Sequence, residues 1–419
     1  MVMNTFKAFT FGILFTVISV AHSGLYQRAI EALGPKKRVL ILSTKGGYCS
    51  EAASRAIEEA LGSGYTVSIR RPIDELRLLG IPLVDTFFNA PQRSGWNRLI
   101  GLLARLAPLA CKIGQGKIGR QIDRFIREEK PDLIISVSPF VNSIAIKSAK
   151  KKQIPYLLIA LDDDLTFWIN GLKGTTYPKF HMTIPRAEPL ALKQLKKTKL
   201  EPAQISISGQ PLRPEFFIKK DPIELKKEYG IPINKKVVLV MMGGTGSEAT
   251  AIYSRALGQL PLNLHIIACI GRDEARRSEL ERVPLHRSNS LQIQGFTKKI
   301  DELMTIADLI ITKPGPRTIH EAITVGRAPI LIDSTIQPVF WEKAHMDYVL
   351  KYHIGNKITR IKHLPKLLKR YLDDSEERSR VQLAMKKLPH EDFKAHVKKL
   401  VSKLLCIHTK RSNLHELMP

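Results

Sequence analysis

The sequence predicts two doubly wound α/β units facing each other across a cleft, and three observations carry that reading. Apolar runs that read as buried strands alternate with helical patterns from Arg38 onward. Two of these runs end in glycine-rich turns that open directly into helices. The length of 419 residues and the 44% hydrophobic content suit two or three domains with sizeable cores.

The first element, residues 1–27, is a hydrophobic membrane segment in prospect. No formally charged residue lies between Lys7 and Arg28, and Ala8 to Ala21 is almost wholly apolar. Such a stretch is long enough to span a bilayer or to lie in its interface. Ala21-His22-Ser23 also resembles a small-residue cleavage site, so a signal peptide is a rival, and a buried helix is another. Arg28, Lys36, Lys37 and Arg38 follow the segment while only Lys7 precedes it, which by the positive-inside rule keeps the downstream chain cytoplasmic.

The first unit, 36–210, opens with a strand at Arg38–Ser43, a turn at Thr44-Lys45-Gly46-Gly47 and a helix over Glu51–Leu61. Leu133–Val137 and Tyr156–Ala160 read as later strands. Between the first helix and these strands, Thr86 to Ile122 contains no acid but holds Arg93, Arg98, Arg105, Lys112, Lys117 and Arg120 among Trp96, Leu99, Ile100, Leu102, Leu103, Leu106 and Leu109. Apolar anchors flanked by cations suit an interfacial helix on anionic lipid, each cation contributing about 1 kcal/mol. A core helix with a solvated basic face has the same periodicity.

The second unit, 211–372, follows a hinge expected near Pro211 to Pro214. Val237–Met242 reads as a buried strand running into Gly243-Gly244-Thr245-Gly246-Ser247, with a helix from Glu248. Gly244-x-Gly246-x-x-Ala249 formally fits the dinucleotide fingerprint, which also expects an acid at the end of the next strand. That strand, Leu264–Ile270, is followed by Gly271-Arg272, and the first acid is Asp273. NAD is therefore disfavoured, and another phosphate-bearing ligand stays open. The second junction runs from Ala307–Ile311 through Thr312-Lys313-Pro314-Gly315-Pro316 to a helix start at Thr318. Its helix N-terminus would face a crevice where phosphate can sit. Thr318-x-x-Glu321 equally fits a capping box, with Glu321 bonding only its own helix. Residues 373–419 form a basic, amphipathic helical tail carrying Lys386-Lys387, Lys398-Lys399 and Lys403.

Several classes are excluded or disfavoured. Cys49, Cys111, Cys269 and Cys406 form no CxxC pair, so neither a zinc site nor a disulfide framework is expected, and a reducing compartment fits. No HExxH is present, and Asp162-Asp163-Asp164 reads either as a metal-binding DxD or as a turn. The net charge of +27 calls for an anionic partner. No nucleic-acid recognition motif accompanies it, and the aromatic fraction is only 7%, which leaves an anionic membrane surface as the expected partner.

With Gln294-Gly295-Phe296, Lys298-Lys299 and a short helix around Asp301–Thr305, the two junctions resemble the donor half of a GT-B glycosyltransferase. The resemblance is to the group holding monogalactosyldiacylglycerol synthases, processive diacylglycerol glucosyltransferases and, further off, MurG-type N-acetylglucosaminyltransferases. Its motifs match Gly243–Ser247, Gly295–Ile300, Thr312–Ala322, then Gln337 with Trp341-Glu342-Lys343-Ala344-His345. Gly209-Gln210-Pro211-Leu212-Arg213-Pro214-Glu215-Phe216 is similar to the group's interdomain segment, and the likeness covers roughly residues 36 to 370. It implies a metal-independent enzyme with no cofactor, a UDP-sugar donor and a lipid acceptor. It also implies roles. Amides of Gly243–Ser247 and Gly315–Thr318, with Lys313 and Pro314 in the same loop, would meet the pyrophosphate. Glu321 would hold the ribose, Phe296 the uracil, and Gln337 and Glu342 the sugar.

The acceptor half departs from the pattern. Where the group has a histidine after its glycines, this chain reads Lys45-Gly46-Gly47-Tyr48-Cys49-Ser50-Glu51-Ala52. Tyrosine, with an ordinary pKa near 10, is a poor base at neutral pH. The group's TDLT-type loop is matched by Asp163-Asp164-Leu165-Thr166, so Asp164 is the better base candidate. Another base, another acceptor, or donor binding without efficient transfer all follow from Tyr48. The expectation is inverting hexosyl transfer to a lipid hydroxyl, most simply diacylglycerol, at the cytoplasmic membrane face where nucleotide sugars are supplied. The alternatives are a polyprenyl-linked or lipopolysaccharide-type acceptor and a non-catalytic nucleotide-sugar binder.

Overall fold

The computed structural model describes residues 36–46, 49–74, 77–78, 81–82, 91, 96–244 and 246–415. The hydrophobic segment 1–27, Arg93, Gly47, Tyr48 and Thr245 lie outside the described residues. Two six-stranded parallel sheets organise the rest. The first contains β1 (Lys37–Leu42), β2 (Tyr65–Arg70), β3 (Leu133–Ser136), β4 (Tyr156–Ile159), β5 (Phe180–Ile184) and β6 (Ile205–Ile207), in the order β2-β1-β3-β4-β5-β6. The second contains β7 (Lys236–Met241), β8 (Leu264–Gly271), β9 (Ser290–Gly295), β10 (Leu309–Thr312), β11 (Ile330–Asp333) and β12 (Gly355–Ile358), in the order β9-β8-β7-β10-β11-β12. Helices on both faces bury most strands completely, which is why β7 and β10 read as unbroken apolar runs.

On the first sheet sit α1 (Cys49–Leu61), α2 (Asn97–Ile113), α3 (Gln115–Glu129), α4 (Asn142–Lys151) and α5 (Pro189–Leu195). The second sheet carries α6 (Pro222–Glu228), α7 (Glu248–Gly258), α8 (Arg277–Glu281), α9 (Ile300–Ile306), α10 (Pro316–Val325), α11 (Phe340–Lys351) and α12 (Leu364–Leu372). The basic tail divides between them. In α13 (Ser375–Lys387), Val381 and Met385 join the second core, whereas Phe393, Val397, Val401 and Leu404 of α14 (Phe393–His415) join the first. The chain crosses between the sheets twice, and the crossings touch. Gly209, at φ +73°, leaves only 2.9 Å between an added Cβ and the Cβ of Glu391, so a side chain there meets both strain and a clash.

In each sheet the strand order reverses beside the strand that opens it, between β1 and β3 and between β7 and β10. Crevices at such switch points, outside the carboxyl ends of the strands, are where ligands bind in open α/β sheets. Both glycine turns of the second unit leave from that edge, because β7 pairs with β10 in register Val240 to Ile311.

Candidate functional site

The turn after β7 is built for close backbone approach. Gly243 and Gly246 have φ of +97° and +82°, and the Gly246 amide donates to Gly243 O at 3.3 Å. The turn leans on Gly271, whose added Cβ would stand 2.5 Å from Gly244 O. Ser247 then caps α7 by accepting from the Ala249 amide at 3.3 Å. Thr245 lies outside the described residues.

The turn after β10 begins its helix earlier than the sequence suggests. Gly315 is the N-cap and Pro316 the first residue of α10, so Thr318 lies inside the helix and the capping-box reading fails. Proline favours that position because its ring pre-sets φ and no amide is lost. The expectation for the turn's amides is corrected too. The Gly315 amide donates to Lys313 O at 2.7 Å and Pro316 has none, which leaves Arg317 and Thr318 to face an anion. Pro314 and Gly315 are buried.

Lys313 joins the two turns. Its Cε would lie 3.3 Å from a Cβ on Gly243 and 3.7 Å from one on Gly315, so the lysine stem passes close to both turns. Its ammonium ends 3.1 Å from Glu342 Oε1, at the start of α11. Glu321 is buried and accepts from Arg317 Nε at 2.7 Å, one helical turn earlier. Burial raises its pKa, against the pull of Arg317 and Arg213. Phe296 is 41% exposed beyond β9, with the Arg272 guanidinium 4.6 Å from its ring centre. Gln337 is exposed on the loop leading into α11.

From the first unit, the turn after β1 is organised by Asp74. This carboxylate accepts from Thr44 Oγ1 and the Lys45 amide, each at 2.8 Å, and Gly46 N donates to Thr44 Oγ1 at 3.0 Å. The start of α1 faces the start of α10 across a narrow gap lined by Cys49, Leu161, Gln210, Pro316 and Arg317. Cys49 is a thiol there, pushed up to about 11 by burial and then by Asp162.

The three aspartates after β4 have separate fates. Asp163 binds Arg186 and lies 3.0 Å from His345 Nδ1 across the cleft. Burial opposes its ionisation, but Arg186 and His345 hold its carboxyl far below the usual range. Asp162 accepts from Trp168 Nε1 at 2.8 Å and sits 3.6 Å from His345 Nε2. Asp164 has neutral partners, its Oδ1 accepting from Thr166 N, Thr166 Oγ1 and Gln194 Nε2 at 2.9, 2.6 and 2.7 Å. The Arg186 guanidinium also stacks on Tyr348 of α11, 3.3 Å from its ring centre.

Arg186, His345, Arg317 and Asp74 were not singled out from sequence. Arg317 and Glu321 had the i,i+4 spacing of a helical ion pair as a signal. His345 had its place in the Glu-x-x-His of α11; Asp74 and Arg186 had none.

Beside the cleft, α2 turns Ile100 and Ala104 inward, so Ile100 is core rather than an outward anchor. Leu99, Leu102, Leu106, Leu109 and Ile113 are exposed along one face, with Trp96 62% exposed at its start. Arg98 and Arg105 are exposed, and Arg105 also lies 5.4 Å from the ring centre of Phe340. Lys112 lies on the same helix. Phe340 belongs to an aromatic cluster with Phe167 and Trp341 at 5.3 and 5.5 Å from Phe167, and Phe140 packs on Phe167 at 5.3 Å.

Residues 237–404 match the glycosyltransferase family 28 C-terminal domain. The match spans less than half of the chain and makes it similar to glycosyltransferases that carry this domain. The chain is 28% identical over 364 residues to the monogalactosyldiacylglycerol synthase of Spinacia oleracea, spanning 82% of this chain and 67% of the relative. It is 25% identical over 273 residues to the processive diacylglycerol beta-glucosyltransferase of Bacillus pumilus, covering 64% and 68% of the two chains. Among solved structures it superposes on Acinetobacter baumannii MurG with a TM-score of 0.56 at 14% identity, over 88% of this chain and all of that one. The calicheamicin glycosyltransferase CalG4 gives 0.59, also at 14%, over 88% and 99%. These two likenesses establish the GT-B fold.

Proposed function

We propose that the enzyme transfers a hexosyl group from a UDP-sugar to a lipid hydroxyl, most simply that of diacylglycerol, with inversion and without a metal. The observation that carries the donor half is Lys313, threaded between Gly243 and Gly315 at the switch point of the second sheet and tied to Glu342. A cation between two helix N-termini is the arrangement a diphosphate needs, and its fixed charge would stabilise the UDP leaving group. The amides of Gly243, Gly244 and Ser247 and of Arg317 and Thr318 would complete the cradle. Glu321 would accept the ribose hydroxyls, with Arg317 swinging aside or sharing it. Phe296 would flank the uracil, and Glu342 and Gln337 would meet the hexose.

For the acceptor, the names of the relatives support a diacylglycerol. Asp164 is the proposed base, since Asp162 and Asp163 are held by His345 and Arg186 while Asp164 has neutral partners. The exposed apolar face of α2, with Arg98, Arg105 and Lys112, would rest on anionic lipid at the cytoplasmic face. Among the described residues no helix is long and apolar enough to cross a membrane. One observation favours a second reading, donor binding without transfer: Tyr48 replaces the group's histidine and Asp164 Oδ1 already accepts from three donors. Radiolabelled UDP-glucose, UDP-galactose and UDP-N-acetylglucosamine incubated with detergent-dispersed diacylglycerol test the choice. A labelled lipid with one donor supports transfer, and UDP binding with no labelled lipid supports the second reading.

A further inference from the structure

The donor site uses the carboxyl edge of the second sheet, and a second cavity lies at the opposite edge. Its volume is about 300 Å³, at the lower end of the range for small-molecule sites. Lys226, Lys235, Lys236 and Arg327 line it, and Asp308 is the one carboxylate among its lining residues. Asp308 is already shared. Its Oδ2 accepts from the Val237 amide at 2.8 Å and lies 3.3 Å from Lys226 Nζ, and its Oδ1 lies 3.7 Å from Arg327.

The cations are under-compensated. The Lys226 side chain is 8% exposed, and its ammonium has one further partner, the carbonyl of Lys235 at 3.1 Å. Among the described residues, Lys235 Nζ reaches the neutral Ser290 Oγ at 3.0 Å. Arg327 Nε is buried and has no hydrogen-bond partner among the described residues. A buried donor on a charged group left unsatisfied is costly, and each such group calls for an explanation. An anion with several oxygens in the cavity would be met by the accessible edge of the Arg327 guanidinium and by the lysines that line it, since guanidinium and phosphate match in geometry. The rim adds a second property. Ile223 and Ile233 line the cavity while 50% and 56% exposed, so it has an apolar lip beside a cationic floor.

We propose that this cavity is an anion site, separate from the donor crevice, that takes a phosphate monoester. Free phosphate compounds and the head of a phosphorylated amphiphile share that chemistry, and the Ile223–Ile233 lip would accommodate the alkyl part of the second.

The test uses the full chain in detergent with two probes, inorganic phosphate followed by calorimetry and dodecyl phosphate in phosphatidylcholine vesicles followed by sedimentation. Wild type, Lys235→Gln, Arg327→Gln and Lys313→Gln are compared, with circular dichroism to check folding. The expected result is binding of at least one probe by wild type and by Lys313→Gln alike, weakened at least tenfold in Lys235→Gln and Arg327→Gln. Binding of phosphate alone assigns a free compound, and binding of dodecyl phosphate alone assigns an amphiphile. Should Arg327→Gln misfold, the half-buried Lys235→Gln decides. Equal affinity in Lys235→Gln and wild type, loss in Lys313→Gln alone, or no binding of either probe overturns the proposal.

Discussion

Glu321 shows how one residue's environment separates two roles that its spacing left open. It lies inside α10, caps nothing, and is buried against Arg317. If it receives the ribose, Glu321→Gln keeps the volume and one acceptor but removes the charge, and UDP affinity measured by calorimetry should fall at least tenfold. The same change leaves Arg317 facing a neutral amide in a buried site, so a melting loss of about 1–3 kcal/mol should accompany it. A stability loss with UDP affinity intact would reduce Glu321 to a structural partner. Asp164→Asn preserves the acceptor that Thr166 and Gln194 use, which makes it a clean probe of the base. Turnover should drop by about 10²- to 10⁴-fold with UDP binding retained, whereas Tyr48→Phe should cost much less. A silent Asp164→Asn beside an inactive Tyr48→Phe would move the base to Tyr48.

At the scale of elements, the two exposed and buried faces of α2 define its part in the account. Its inward face holds Ile100 and Ala104, while Leu102, Leu106 and Leu109 are 51–57% exposed on the other face. Replacing Leu102, Leu106 and Leu109 by Gln should release the enzyme from anionic vesicles without unfolding it, because those side chains leave no core cavity behind. Replacing Arg98 and Lys112 by Gln should weaken binding mainly at low salt, since surface attraction is screened within a Debye length. Flotation that ignores both sets would mean that α2 is not the docking element. What was legible here follows from burial. β1, β7 and β10 were readable because both faces of a parallel sheet are covered and their buried stretches, Val39–Leu42, Val237–Met241 and Leu309–Ile311, are apolar. β5 was missed although all five residues are buried, because His181 and Thr183 interrupt its apolar run. The helix start at Pro316 was misread because a fitting Thr-x-x-Glu spacing lay two residues further on.

The whole molecule depends on how its two sheets face each other, and that contact was the least legible part. Asp163 and Arg186 belong to the first sheet's loops, His345 and Tyr348 to α11, and no local pattern links residues so distant in sequence. By contrast the two glycine turns were legible, because each is a contiguous strand-turn-helix. Burial would lower the His345 pKa, but Asp163 and Asp162 more than offset it and hold the imidazolium up to about 9. With a folded-state value above the ordinary one, this contribution to stability is complete below about pH 6 and lost as pH rises through about 9. Wild type should therefore lose melting temperature between pH 8 and 10 more steeply than His345→Gln, which at pH 7 should be less stable by about 3 kcal/mol. Parallel profiles would remove the ion pair from the account.

The central claim is that the two glycine turns, joined through Lys313, form a single diphosphate site for a UDP-sugar. The most direct test is a calorimetric titration of UDP into wild type, Lys313→Gln and Gly243→Ala. Wild type should bind UDP, and both variants should bind it at least tenfold more weakly while melting normally or with a loss of about 1 kcal/mol for the strained alanine. Undiminished UDP affinity in both folded variants would contradict the claim.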